Sequence, residues 1–212
     1  MTREEPVQIR AGAASLEGML ALPLDPIGVV LFAHGSGSGR FSPRNNQVAA
    51  GLRDAGVATL LLDLLTLEED EAYRNRFDID VLSSRLHAAA SWLATEPLTA
   101  ALPLGLFGAS TGAAAALRVA ADSGTGIAAV VSRGGRPDLA GTALRQVLAP
   151  TLLIVGGEDG AVLDLNRQAY AALGCEKSLE IVPGATHLFE EPGALEQVEV
   201  LASSWFVRHF DL

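Results

Sequence analysis

The five residues Gly108-Ala109-Ser110-Thr111-Gly112 read Gly-x-Ser-x-Gly. A serine flanked in this way suits a nucleophile on a turn too tight for larger residues two positions away on either side. Strain at such a turn lifts the hydroxyl clear of its surroundings, where a substrate carbonyl and a base can both reach it. A serine hydroxyl is weak alone, so the chemistry needs a base to take its proton and an acid to orient that base. Polar clusters that could supply them follow: Gly156-Gly157-Glu158-Asp159, then Gly184-Ala185-Thr186-His187. Upstream lies His34-Gly35-Ser36-Gly37-Ser38-Gly39. The chemistry of such a set is acyl transfer through a serine ester. In a chain with 22 glycines the pentapeptide alone is a weak signal. Its setting strengthens it, because apolar Leu104–Phe107 precedes it and the alanine-rich stretch Ala113–Ala121 follows.

These residues need elements to carry them. Short apolar runs predict strands at Val7–Ala11, Leu16–Leu22, Ile27–Ala33, Val57–Leu62, Leu104–Phe107, Ile127–Val131, Thr151–Val155 and Leu179–Val182. The first two, split by a small-residue turn, read as an antiparallel hairpin. The others are mostly continuous in apolarity rather than alternating, which is the mark of parallel strands buried on both faces. Helical patterns fill the gaps at Asn46–Asp54, Asp80–Ala94, Thr111–Ala121, Ala140–Val147, Leu163–Leu173 and Ala194–Phe210. Alternation of strand and helix predicts an α/β fold, a doubly wound, mostly parallel sheet of about eight strands. Glu68–Arg76 reads as an exposed loop over the C-terminal edge of that sheet, and Ser132–Pro150 leaves no room for a cap domain. The length predicts one domain over residues 1–212.

Composition narrows the function. With 15 Lys+Arg against 25 Asp+Glu, the net charge is −10. That disfavours nucleic acid or an anionic membrane as partner. Apolar residues make up 49%, enough for a well-buried sheet. The uncharged stretch Pro97–Leu117 is long enough to cross a bilayer, but Pro103, Gly105, Gly108 and Gly112 break it, so no membrane insertion is expected. The single cysteine, Cys175, excludes an intrachain disulfide and a multi-cysteine zinc site. The first residues, Met1 to Pro6, lack a signal-peptide pattern, and a cytoplasmic location is expected.

In a doubly wound sheet, ligands sit at the C-terminal ends of the strands. The predicted strands deliver the His34 loop, Asp63, Ser110, the cluster Ser132-Arg133-Gly134-Gly135-Arg136, the Asp159 cluster and His187 to that edge. In this order the chain resembles the α/β-hydrolases. It is most similar to the small capless branch of dienelactone hydrolases and microbial carboxylesterases, and the resemblance covers nearly the whole chain. One departure is the nucleophile: dienelactone hydrolase proper carries cysteine where this elbow has Ser110.

The resemblance implies a serine hydrolase acting on small carboxylic esters. Ser110 is the expected nucleophile. His187, in a loop after the last strand, is the expected base, and Asp159 the acid ahead of Glu158 and Asp164. The backbone N–H groups of Thr111 and Ser36 are the expected oxyanion donors, with the His34 ring bracing the loop. Because a histidine base works only as neutral imidazole, kcat/KM should rise with pH. Arg133 and Arg136 could clamp a substrate carboxylate or pair with Asp138, Asp63 or Glu68, and bracing is the preferred reading. Arg40 and Arg44 carry the same ambiguity. The expected partner is a small-molecule ester, with no metal and no organic cofactor. The same residues could serve an amidase, a peptidase or an acyltransferase. A non-catalytic scaffold protein is the reading from a different class.

Overall fold

Wholly apolar runs force a sheet that must be covered on both faces, and the computed structural model, which describes residues 2–122 and 124–210, has that form. Eight strands lie in the order β1-β2-β4-β3-β5-β6-β7-β8. They are β1 (Arg3–Ala11), β2 (Ala14–Leu22), β3 (Gly28–Ala33), β4 (Val57–Leu62), β5 (Leu104–Ala109), β6 (Ile127–Arg133), β7 (Thr151–Gly156) and β8 (Lys177–Val182). The hairpin β1-β2 joins β4 antiparallel, and every pairing from β4 to β8 is parallel. Each residue of β3, β4, β5 and β7 is buried, as continuous apolarity requires.

Helices α1 (Pro43–Asp54) and α6 (Ala194–Phe210) cover one face. Val48, Ala49 and Leu52 of α1 and Val198, Ala202 and Phe206 of α6 meet Val30 and Phe32 of β3 and Phe107 of β5 there. Helices α3 (Ile79–Leu93), α4 (Thr111–Ala120) and α5 (Gly160–Ala172) lie against the other face. Two aromatic rings of α6 fill notches in the central strands. A Cβ on Gly28 would lie 2.2 Å from the Phe210 ring, and one on Gly105 would lie 2.6 Å from that of Phe206. Glycine at those positions is what lets the helix approach.

Two predicted segments differ. The expected loop Glu68–Arg76 contains α2 (Leu67–Glu71) and a 3₁₀ turn at Tyr73–Phe77. Thr66 and Glu69 form a reciprocal capping box that starts α2, a short-range signal hidden in an acidic run. Arg76 then clamps both carboxylate oxygens of Asp70, at 2.8 and 2.9 Å. The predicted helix Ala140–Val147 is instead part of a 3₁₀ segment, Pro137–Gln146, broken at Gly141, where φ is +58°. Helix α1 starts three residues earlier than its apolar pattern, because Ser42 caps it and Pro43 fits the first turn.

Candidate active site

Ser110 sits between β5 and α4 with φ +50° and ψ −120°, a strained conformation for a residue with a side chain. Its neighbours explain how the strain is held. A Cβ on Gly108 would stand 2.4 Å from Ala113 Cα, and one on Gly112 would stand 2.2 Å from the Ala33 carbonyl oxygen. Both glycines are therefore needed for close backbone approach. The Ser110 N–H donates to the Arg133 carbonyl at 3.3 Å, and the Arg136 and Ala113 N–H groups donate to the Ser110 carbonyl at 3.0 and 3.1 Å. We expect Gly112→Ala to lose about 1–3 kcal/mol in urea unfolding, because backbone rather than a movable side chain blocks the new methyl group. An unchanged midpoint would contradict this packing.

The His187 loop lies against two strand ends that also lack side chains. A Cβ on Gly156 would meet the Ala185 carbonyl at 2.3 Å, and one on Gly134 would lie 3.6 Å from the His187 ring. His187 Nδ1 is 2.6 Å from Asp159 Oδ2. Asp159 occupies the cap position of α5, yet its side chain makes no capping bond there. Its carboxylate, 15% exposed, turns to the imidazole instead. The two rivals point elsewhere. Glu158 is exposed. Asp164, expected at the helix start, lies further into α5 and pairs with Arg167 at 3.0 Å.

Ser110 and His187 line one small cavity of about 200 Å³, together with Gly35, Ser36 and Arg133. They are not hydrogen-bonded to each other in this structure. Such bonds often tighten only when substrate is bound. The Thr111 N–H opens α4, where no intrahelical acceptor exists. Ser36 lies across the cavity on the glycine-rich loop, and a Cβ on Gly35 would stand only 3.0 Å from Ser110 Cβ.

His34 ties this loop to the next strand. Its Nε2 accepts from the Leu64 N–H at 2.9 Å, so the proton is on Nδ1, which donates to the Gly35 carbonyl at 2.9 Å. Gly35 C=O and Ser36 N–H belong to one peptide plane, so the ring fixes the direction of that N–H. Burial pushes the His34 pKa below its ordinary value, against the opposing pull of the Gly35 carbonyl and the nearby Asp63 and Asp70. The neutral form is the one that fits the fold. Its stabilisation is complete above histidine's ordinary value of 6.5 and is lost as pH falls through the lower folded value. Burial also depresses buried His209, which adds in the same direction. Melting temperature should therefore decline on acidification below about pH 6.5, and His34→Gln should flatten that decline. A variant with the same acid limb as the parent would count against it.

The arginines divide. Arg136 grips Asp138 through two bonds, at 2.9 and 2.8 Å, which raise its pKa, so it braces its own turn. Asp63 is taken by Arg40, whose backbone N–H donates to it at 2.6 Å. Arg133 finds none of the expected partners. Its Nη2 reaches only Asn45 Oδ1, at 3.4 Å, and it lies 5.7 Å over the Phe189 ring. Arg44, ambiguous in the sequence, lines the same cavity. The signal was an arginine in a helix's first turn where no acid accompanies it. Among the described residues no cluster of His, Cys, Asp and Glu is placed to hold a metal ion, and no helix is long and apolar enough to cross a membrane.

An eight-stranded sheet with a serine elbow after its central strand and an aspartate–histidine pair at later strand ends defines a known class. The chain belongs to the alpha/beta hydrolase domain family, whose profile matches residues 26–200, and to its dienelactone-hydrolase-like branch. It is similar to the dienelactone hydrolase of Anabaena variabilis, at 54% identity and a TM-score of 0.95 over 98% of each chain. The esterase domain of a Rhodothermus marinus protein shares the fold, with a TM-score of 0.79 at 20% identity over 98% of this chain and 99% of the other. Two Mycobacterium tuberculosis proteins, from strains CDC 1551 and H37Rv, are 59% identical over 207 residues and are provisionally named phosphoribosyl transferases. That match covers 98% of this chain and 47% of each relative, so the chain spans about half the length of the curated relatives it matches.

Proposed function

We propose that this hydrolase cleaves small carboxylic esters through an acyl-enzyme on Ser110. The observation that carries the reading is the 2.6 Å contact of His187 Nδ1 with Asp159 Oδ2 beside the strained serine. With Nδ1 engaged by the carboxylate, Nε2 is the nitrogen left to take the Ser110 proton as the hydroxyl attacks the substrate carbonyl. The Thr111 and Ser36 N–H groups meet the negative charge that develops on the carbonyl oxygen. His187 then returns the proton to the departing alcohol. Water repeats the sequence on the acyl-enzyme and releases the acid.

The cavity beside Ser110, about 200 Å³, suits short acyl groups rather than long lipid chains. A wider groove of about 480 Å³ continues from Ser36 past Phe41 to Leu67 and gives the leaving group a way out. Labelling with a fluorophosphonate, followed by p-nitrophenyl esters of increasing acyl length, tests the reading. We expect labelling at Ser110 and a rate that falls as the acyl chain lengthens. A chain that neither labels nor turns over any ester would be a binding protein on a hydrolase scaffold.

A further inference from the structure

Helix starts favour acidic residues, because the positive end of the helix dipole lies there. The first turn of α1 does the opposite. It holds no acid and carries Arg44. Arg44 Nε is buried without a hydrogen-bond partner, and the one carboxylate it meets is Glu190, 3.1 Å away and 64% exposed. Arg133 reaches the same turn from the end of β6. It is 7% exposed, its Nε is also buried and unpartnered, and among the described residues it has no ion-pair partner. Burial, and then the charge of Arg44, push its pKa down to about 10.

Three positive sources thus meet at one cavity: a helix N-terminus, Arg44 and Arg133. The cavity wall beside Ser110 also carries the hydroxyls of Ser36, Ser38 and Ser42, and no acidic residue. In a chain of net charge −10 this is a local reversal of sign. A buried cation without an ion-pair partner, as Arg133 is, is costly, and the charge of Arg44 beside it raises that cost. A bound anion would remove that cost. A carboxylate brings one charge and two oxygens in a plane. Two guanidinium groups, a helix N-terminus and several hydroxyls on different sides suit a tetrahedral dianion better.

We propose that the cavity beside Ser110 is a phosphate subsite, held by Arg133, Arg44 and the start of α1, and that the ester this chain cleaves carries a phosphate group a few bonds from its scissile carbonyl. The phosphate is a handle and is not transferred. The bond broken remains the carboxylic ester. The substrate half of the proposal rests on the ester-hydrolase reading above, whereas the binding half does not.

The test separates the two. Inorganic phosphate is titrated calorimetrically into Ser110→Ala protein, which needs no turnover, and compared with acetate at matched ionic strength. Saturable binding of one phosphate per chain is expected, at least about tenfold tighter than acetate. Arg133→Met should weaken it by about 10- to 100-fold, the effect of losing a charge-assisted contact. Arg44→Met should weaken it less, and Arg133→Lys should fall between. In the parent protein, phosphate should slow fluorophosphonate labelling competitively. The ratio of kcat/KM for a p-nitrophenyl ester whose short acyl chain ends in a phosphate to that for its uncharged methyl-capped analogue should drop in Arg133→Met by the same factor as binding. Absence of saturable phosphate binding, equal affinity for acetate, or binding indifferent to both arginines would overturn the subsite. Should Arg133→Met fail to fold, Arg44→Met and Arg133→Lys decide the matter. Phosphate binding in a chain that turns over no ester would keep the subsite and defeat the proposed reaction.

Discussion

Ser110→Ala is expected to lower kcat on a p-nitrophenyl ester by about 10⁴- to 10⁶-fold, because no other hydroxyl is held on the strained turn beside the His187 imidazole. The fold should survive. The elbow is held by backbone bonds from Ser110, Ala113 and Arg136 and by the close approach of Gly108 and Gly112, none of which uses the hydroxyl. Alanine keeps the Cβ and so must still adopt the positive φ, at no greater strain than serine. Residual activity should come from the proposed oxyanion donors and substrate binding alone. More than about a tenth of parental activity in a protein with an unchanged melting temperature would falsify the nucleophile assignment.

Asp159→Asn should cost roughly 10³- to 10⁴-fold in kcat. Asparagine can present its NH₂ to His187 Nδ1, which makes that nitrogen the acceptor and leaves the proton on Nε2. An imidazole in that tautomer cannot take the Ser110 proton. The geometry is kept, since the contact is 2.6 Å and the isosteric amide fits the same half-buried place. Glu158→Gln and Asp164→Asn should each cost under about tenfold. The first is exposed and the second is occupied with Arg167. If Asp164→Asn were the damaging change, the acid would be misplaced.

Much of this was legible in the residues themselves. Mostly continuous apolar runs marked β3 to β8, a small-residue turn marked the hairpin of β1 and β2, and the polar residues at the strand ends marked the edge where a site would form. Gly108 and Gly112 could be read because their reason is local: the turn around Ser110 has no room. What escaped was set by partners distant in sequence. Arg133 and Arg136 look alike in the chain, three residues apart, yet one meets Asp138 two positions on and the other meets only Asn45 on α1. Asp138 lies within local reach of Arg136, but nothing near Arg133 in the chain points to Asn45. The two mispredicted segments failed for a different reason. Thr66 and Glu69 start a helix too short to show an apolar period, and Gly141 interrupts one whose period was right.

The rings of Phe206 and Phe210, lodged in the gaps at Gly105 and Gly28, bear on the order of events during synthesis. Those gaps lie in β5 and β3, the strands that carry Ser110 and the His34 loop. A ribosome will have made both strands, the elbow and the aspartate well before residues 194–210 emerge to seal that face. Until then the nascent chain holds an open apolar sheet, and its central strands are vulnerable to pairing with a neighbouring copy. Chains arrested before residue 194 should be degraded by protease within β3 and β5, where the finished protein resists. Equal resistance in the arrested chain would mean that the sheet closes without α6. On this view the proposed nucleophile is translated well before the helix that completes its working geometry.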